Sequence, residues 1–297
     1  MKVSIKGIVT LVLPILCLSF SVSAKNKVVY GDDNRVEPFE TSSSYFQLAE
    51  STAAMIEASN IQLSRSGTYD INTKTLADSW DVCKSERFSE QPTVAVCSGF
   101  LIAPDILVTA GHCITNQTQC DENLWVFNYG LYSANQDVTR AKISDVYKCK
   151  EILDRALDSG SDPKDYAVIR LERVVEGRTP LKFRRSGKIK NHEDVLVIGH
   201  PTGLPTKVAD GASVRDNTHH AFFSTNLDTF GGNSGSAVFN TNTGEVEGIL
   251  VRGEIDYVND RAQDCKVVNV CEASGCRGED VTRITAIPKL IEFVPVK

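Results

Sequence analysis

From Ser51 onward the chain alternates short β-forming runs with turn signals, and this rhythm limits the possible folds more than any other feature. The runs fall at Ala53–Ile56, Thr93–Ile102, Ile106–Ala110, Leu124–Asn128, Ala167–Leu171, Asp194–Ile198, Ala221–Ser224, Ser236–Phe239, Val246–Val251 and Val267–Val270. Ala53–Ile56 is the weakest, since its alanines suit a helix as well. Gly, Asn, Asp or Pro cluster between many of the runs, and few stretches have helical spacing. Many short strands with such turns specify an all-β barrel or sandwich. Residues 173–190, with Gly177, Pro180 and the pair Arg184 and Arg185, read as a linker between two such units. Ile287–Val294 has apolar residues at helix-like spacing and is expected to close the chain as a short helix. The 297 residues suffice for one large domain or two modest ones.

The first residues obey a different pattern. Met1–Lys6 carries two lysines and no acid, Gly7–Phe20 is almost wholly apolar, and Ser21–Ala24 offers small residues. This is the layout of a secretory signal peptide cut after Ala24. The apolar run is too short to favour a membrane anchor, and no later segment is apolar enough to span a bilayer. Residues 25–45 are polar and turn-rich and read as a loosely held arm.

Removing residues 1–24 takes two of the 32 basic residues and none of the 38 acidic ones, which leaves a net charge of −8. An acidic chain of this kind does not suit a nucleic-acid partner, because neutralising phosphates needs a basic face. Cys17 leaves with the signal. Cys83, Cys97, Cys113, Cys120, Cys149, Cys265, Cys271 and Cys276 remain. An even number in an exported protein reads as disulfides. The rival is a metal site, with His219 and His220 as further ligands, but no C-x-x-C spacing supports it. No metal and no cofactor are expected.

Three motifs carry chemistry, in the order His, Asp, Ser. Thr109–Cys113 holds His112 after an apolar strand. Asp165–Leu171 starts an apolar strand with an acid. Gly231–Ser236 places Ser234 in a glycine-rich turn. A serine hydroxyl is a poor nucleophile until a neighbouring imidazole takes its proton. The imidazole in turn needs a carboxylate on its other nitrogen, which fixes the tautomer and stabilises the imidazolium. Glycines around Ser234 let the backbone bend sharply, so that two N–H groups can face a developing oxyanion. Gly232 and Ser234 are the natural donors. Alone, each motif would be an ordinary turn; together they form a catalytic set of His112, Asp165 and Ser234, with Asp158 and Asp162 as alternative acids. His192, His200, His219 and His220 read as structural or surface residues.

Cys97–Cys113 resembles the histidine region of chymotrypsin-like serine peptidases. Asp165–Leu171 resembles the acid motif of that family. Gly232–Val238 resembles the nucleophile motif of its bacterial branch, which includes the glutamyl endopeptidases, and Val28–Arg35 is similar to that branch's mature N-terminal region. The likeness covers roughly residues 28–295. It implies two six-stranded antiparallel β-barrels packed face to face, with the active site in the cleft between them. It also implies a Cys97–Cys113 disulfide beneath the histidine, whereas Cys120 with Cys149 is only a guess. The expected organisation is a signal peptide at 1–24, an arm at 25–45 with 25–27 as a short propeptide, and a peptidase domain at 46–295. Barrel one would span about 46–172 and barrel two about 187–285. There are departures. Asn233 precedes Ser234 where trypsin-like enzymes carry an Asp that pairs with a new N-terminus. Leu250 stands where the glutamyl branch carries a histidine.

The specificity pocket is expected to be lined by Asp228, Thr229, Val251, Arg252 and Gly253. Asp228 lies six residues before Ser234, the spacing at which trypsin-like enzymes place an aspartate at the pocket base. A carboxylate there would favour cleavage after Lys or Arg. Two alternatives stay open: Asp228 is structural, or Arg252 points inward and favours acidic residues. The leading expectation is therefore a secreted or periplasmic, monomeric endopeptidase acting on proteins or peptides, without a stable membrane anchor. A catalytically silent binding or toxin-like module on the same fold and an esterase are the competing readings.

Overall fold

The computed structural model describes residues 29–158, 160 and 163–294. The signal segment, the two proposed cleavage positions and Asp162 lie outside the described residues. The barrel strands are β1 (Thr52–Glu57), β2 (Cys97–Ala103), β3 (Ile106–Thr109), β4 (Asn123–Phe127), β5 (Val146–Leu157) and β6 (Asp165–Leu171), then β7 (Asp194–Gly199), β8 (Lys207–Asp216), β9 (Phe222–Thr225), β10 (Ala237–Asn240), β11 (Val246–Arg252) and β12 (Glu279–Arg283). The first six close into an antiparallel barrel in the order β5-β6-β3-β2-β1-β4, and the other six into a second in the order β7-β8-β9-β12-β11-β10. Closure removes free sheet edges, which a set of short strands would otherwise expose. The stretch from 172 to 193 joins the barrels, and the chain ends in a short helix, Leu290–Phe293.

Alternation along the strands explains how the two barrels share a core. In β4, Trp125 and Phe127 pack into one apolar cluster while Leu124 and Val126 join another, as period-two side-chain direction requires. In β7, Leu196 and Ile198 enter the cluster that also holds Phe100, Leu107 and Trp125 of the first barrel. Val195 and Val197 face a cluster confined to the second barrel side.

Two expected strands divide. Thr93–Ile102 breaks into Pro92–Thr93 and β2, and Val267–Val270 into Cys265–Val268 and Val270–Cys271. The described part of the arm, residues 29–45, is not loosely held. Val29–Tyr30 pairs in parallel with Val270–Cys271, and Val36 bridges Val208. Arg35 is buried with its guanidinium on Asp33 and over the Phe230 ring at 4.0 Å, and Glu37 accepts from the buried Lys207 ammonium at 3.0 Å. Polar composition misleads here because these charges are paired: Arg35 donates from Nε and Nη2 to Asp33, while the Lys207 ammonium finds three acceptors, on Glu37, Gln91 and Pro205 O, the kind of bonding a buried charge needs. All eight cysteines expected to pair do so, as Cys83–Cys265, Cys97–Cys113, Cys120–Cys149 and Cys271–Cys276.

Candidate active site

His112 sits in the turn that leaves β3, with Cys113 N–H bonded back to Ala110 O. Asp165, the first residue of β6, faces it because β6 and β3 are neighbours. The Asp165 carboxylate is buried and accepts twice from His112: Oδ1 from the backbone N–H at 3.0 Å and Oδ2 from ring Nδ1 at 2.8 Å. This holds the ring with its other nitrogen turned elsewhere. The histidine side chain itself is 36% exposed. The long strand β5 adds a clamp that sequence reasoning missed: Arg155 Nε donates to Gly111 O at 3.0 Å and to Ile114 O at 2.8 Å. Asp158, the described one of the two alternative acids, makes no hydrogen bond or ion pair with His112, whose carboxylate partner is Asp165.

The glycine-rich turn is brought against the first barrel by Ser98, a second residue that sequence reasoning missed. Its N–H donates to Ser234 O at 2.8 Å and its hydroxyl to Gly232 O at 2.9 Å, while that hydroxyl accepts from His200 N–H at 3.0 Å. Only its place beside Cys97, at the start of a buried strand, marked it in the sequence. Ser234 O also lies 3.6 Å from Cys113 Sγ, and Cys113 Sγ lies within 4.8 Å of a His112 ring nitrogen. Ser234 is thus held beside His112, although no hydrogen bond joins its hydroxyl to the ring among the described residues. Catalytic hydrogen bonds in ligand-free sites often tighten only in the complex.

Within residues 231–236 the amide donors divide in a telling way. Gly231 N–H is bonded to Asp256, Asn233 to Phe230 O, Gly235 to Leu250 O and Ser236 to Asn233 O. Gly232 and Ser234 alone in this turn donate to no acceptor among the described residues. Gly232 adopts φ +88°, and a Cβ there would stand 2.5 Å from His200 O, so only glycine fits. These are the two N–H groups named from sequence, and they are the two in the turn without an acceptor among the described residues. Asn233 is buried and accepts from Ser236 Oγ at 3.3 Å, an internal bond that needs no charged partner.

A cavity of about 450 Å³ opens from Ser234 and includes Thr229, Val251, Arg252 and Gly253 among its lining. Asp228 is not part of it, which corrects the expectation that it forms the pocket base. Its carboxylate is buried and turned to the arm, accepting from Tyr30 N–H at 2.7 Å and Asn34 N–H at 3.2 Å. Burial pushes it up to about 6 against the pull of those two bonds. Arg252 does not offer a free charge either, since its Nε pairs with Asp280 at 3.3 Å. The acids that do line the cavity are Glu279, on β12, Glu254 and Asp256. Sequence reasoning missed all three.

His200 is fully buried, its Nδ1 on Leu204 O at 3.1 Å, and burial lowers it to about 3, so it stays neutral and structural. The one His/Cys/Asp/Glu trio close enough to hold a metal among the described residues is Cys97, His112 and Cys113, and its two thiols are already spent on a disulfide. That bridge closes a sequence separation of 16 with Cα atoms 6.2 Å apart. Replacing both cysteines by serine is expected to cost roughly 3 kcal/mol of stability. Urea unfolding of the oxidised protein checks this, and an unchanged midpoint would contradict it.

Two closed barrels with a His–Asp pair and a serine turn between them define a chymotrypsin-like serine peptidase architecture. A family model, the trypsin-like peptidase domain, matches residues 97–249, just over half of the chain. The chain belongs to that family, and a protease of this family takes protein or peptide substrates. No curated protein matches the sequence. Among solved structures, a Glu endopeptidase superposes with TM-score 0.51 at 17% identity, over 90% of this chain and 97% of that one. The Vibrio cholerae VesB protease gives 0.51 at 13%, over 85% and 64%, and human heparin binding protein 0.51 at 12%, over 84% and 92%. These likenesses concern the fold.

Proposed function

We propose that the protein is an exported serine endopeptidase that cleaves through an acyl-enzyme on Ser234. The supporting observation is the double hydrogen bond from His112 to buried Asp165 beside a serine whose own N–H, with that of Gly232, is unused. His112 takes the Ser234 proton as Oγ bonds to the scissile carbonyl carbon, then gives it to the departing amine. The oxyanion rests on the two free N–H groups. Water attacks the ester by the same route in reverse and frees Ser234. Residues 46–295 carry this unit as a monomer, without a stable membrane anchor. Profiling the cleavage sites of the mature protein on a peptide library tests the reading: internal cuts absent from Ser234→Ala support it, and no turnover by folded protein contradicts it.

Export follows from the signal pattern at 1–24, and four disulfides agree with an oxidising compartment. A second cut after Lys27 would leave Val28 next to a docked arm, whose Val29 N–H already bonds Asn269 O at 3.0 Å. N-terminal sequencing of the secreted protein is expected to read Val28. A fully active form beginning at Lys25 would show the second cut to be unnecessary.

The residue before the scissile bond is proposed to be basic. With Asp228 turned away and Arg252 paired, the preference has to rest on other acids of the cavity.

A further inference from the structure

Glu279 is the most deeply buried of the acids that line the cavity with Ser234. Its residue is 1% exposed, yet its carboxylate borders the same cavity as Ser234. Three donors hold it: the Thr229 hydroxyl on Oε2, and on Oε1 the Tyr30 hydroxyl at 3.5 Å and Glu254 N–H at 3.4 Å. Gly253 leaves it room, since a Cβ there would meet Oε2 at 1.8 Å. No Lys or Arg pairs with it among the described residues. The cations lining the cavity are engaged elsewhere: Arg252 on Asp280 at 3.3 Å, and Lys266 on Trp80 O at 3.1 Å. An unpaired buried carboxylate is costly. A cation delivered by a ligand would satisfy it.

We infer that the Glu279 carboxylate selects the residue before the scissile bond, by taking the charged end of a lysine or arginine side chain inside the cavity. The inference rests on the reading of this cavity as the substrate pocket of the proposed peptidase. The walls fit a long side chain with a cationic tip. Thr229, Val251 and Gly253 line the way, and half-buried Asp256 adds a second acid, its Oδ2 accepting from Gly231 N–H at 2.7 Å. A glutamate substrate would meet these two acids as like charges. The arm takes part as well, because Tyr30 holds Glu279 with its hydroxyl while its N–H holds Asp228.

The same burial predicts a pH signature. Desolvation, reinforced by the charges of Asp256 and Glu254, pushes the free Glu279 carboxyl up to about 8. A bound cation favours the ionised form, so binding expels a proton and tightens as pH rises, levelling off above about 8. Other groups facing the cavity are Tyr30, raised by burial; Asp256, raised to about 6; the Arg252–Asp280 pair; Lys266; and Arg35 beyond Asp256. Of the acids lining the cavity, Asp256 accounts for a rise near pH 6 and Glu279 for one near pH 8; Lys207, lowered by burial to about 8, is paired with Glu37 and does not line the cavity.

The test uses the mature protein and p-aminobenzamidine, an aryl amidinium whose fluorescence reports binding without turnover. Its affinity is expected to climb between pH 6 and 9. In Glu279→Gln it should fall about 100-fold at pH 8.5 and lose the rise near pH 8. The ratio of kcat/KM for Lys over Leu substrates should collapse in Glu279→Gln and persist in Asp228→Asn. Amidine affinity or Lys preference that survives Glu279→Gln overturns the inference, as does a wild-type preference for Glu or Leu. Should Glu279→Gln fail to fold, the wild-type pH profile decides alone, and a flat profile overturns the inference. Loss of amidine binding in Glu279→Gln, with no adduct on Ser234 and no turnover in wild type, would uphold the pocket while removing the peptidase reading.

Discussion

Replacing Ser234 by Ala is expected to lower kcat by about 10⁶ while leaving the fold intact. The substitution removes one hydroxyl. The contacts that hold the turn are made by other atoms: Ser234 O on Ser98 N–H, Gly232 O on the Ser98 hydroxyl, and Gly235 N–H on Leu250 O. His112→Ala should cost nearly as much, and the double variant little more, because nucleophile and base act as one unit. Single-turnover and steady-state assays on one peptide, with thermal unfolding as the control for folding, read both effects. A Ser234→Ala protein with substantial peptidase activity would end the account.

Asp165→Asn is expected to lower kcat by about 10⁴. Both carboxylate oxygens of Asp165 accept from His112, one from the backbone N–H and one from ring Nδ1–H. An amide has only one acceptor oxygen. If that oxygen keeps the backbone N–H, the NH₂ faces Nδ1 and forces the proton onto Nε2, the nitrogen that has to accept from serine. If the amide turns over, the backbone donor of the histidine loop is opposed instead. Crystallography of the variant, with kcat measured against pH, checks this. Near wild-type turnover at neutral pH would show that another group orients His112.

The candidate triad was more legible in the sequence than the scaffold around it. His112, Asp165 and Ser234 stood out because each sits in a short motif with a single demanding geometry. The glycines at 231 and 232 marked the sharp turn that frees two amides. The strands found were those with apolar runs, such as Ile106–Thr109 and Val246–Arg252. The three barrel strands missed are polar for physical reasons. Strand β5 carries Lys148, Lys150, Glu151, Asp154 and Arg155, and two bulges break its alternation. Strand β8 contains Gly211 and buries Lys207 on Glu37. Strand β12 has four polar residues in five, all buried, because Glu279 lines the cavity, Asp280 holds two arginines and Arg283 is bonded into the 217–219 loop.

The pocket was the least legible part for the same reason. Six-residue spacing pointed to Asp228, but spacing does not tell which way a carboxylate turns. The arm decides it, by placing the Tyr30 and Asn34 N–H groups where Asp228 can accept from both. Likewise Arg35, Ser98 and Arg155 position the site through contacts distant in sequence, which no local pattern announces.

The central claim is that Ser234 is a nucleophile activated by His112. Incubating the folded mature protein with a fluorophosphonate probe and mapping the adduct by peptide mass spectrometry tests it most directly. The account predicts one adduct, on Ser234, absent from Ser234→Ala and strongly slowed in His112→Ala. No adduct on the folded wild-type protein, or one that persists in Ser234→Ala, would contradict it.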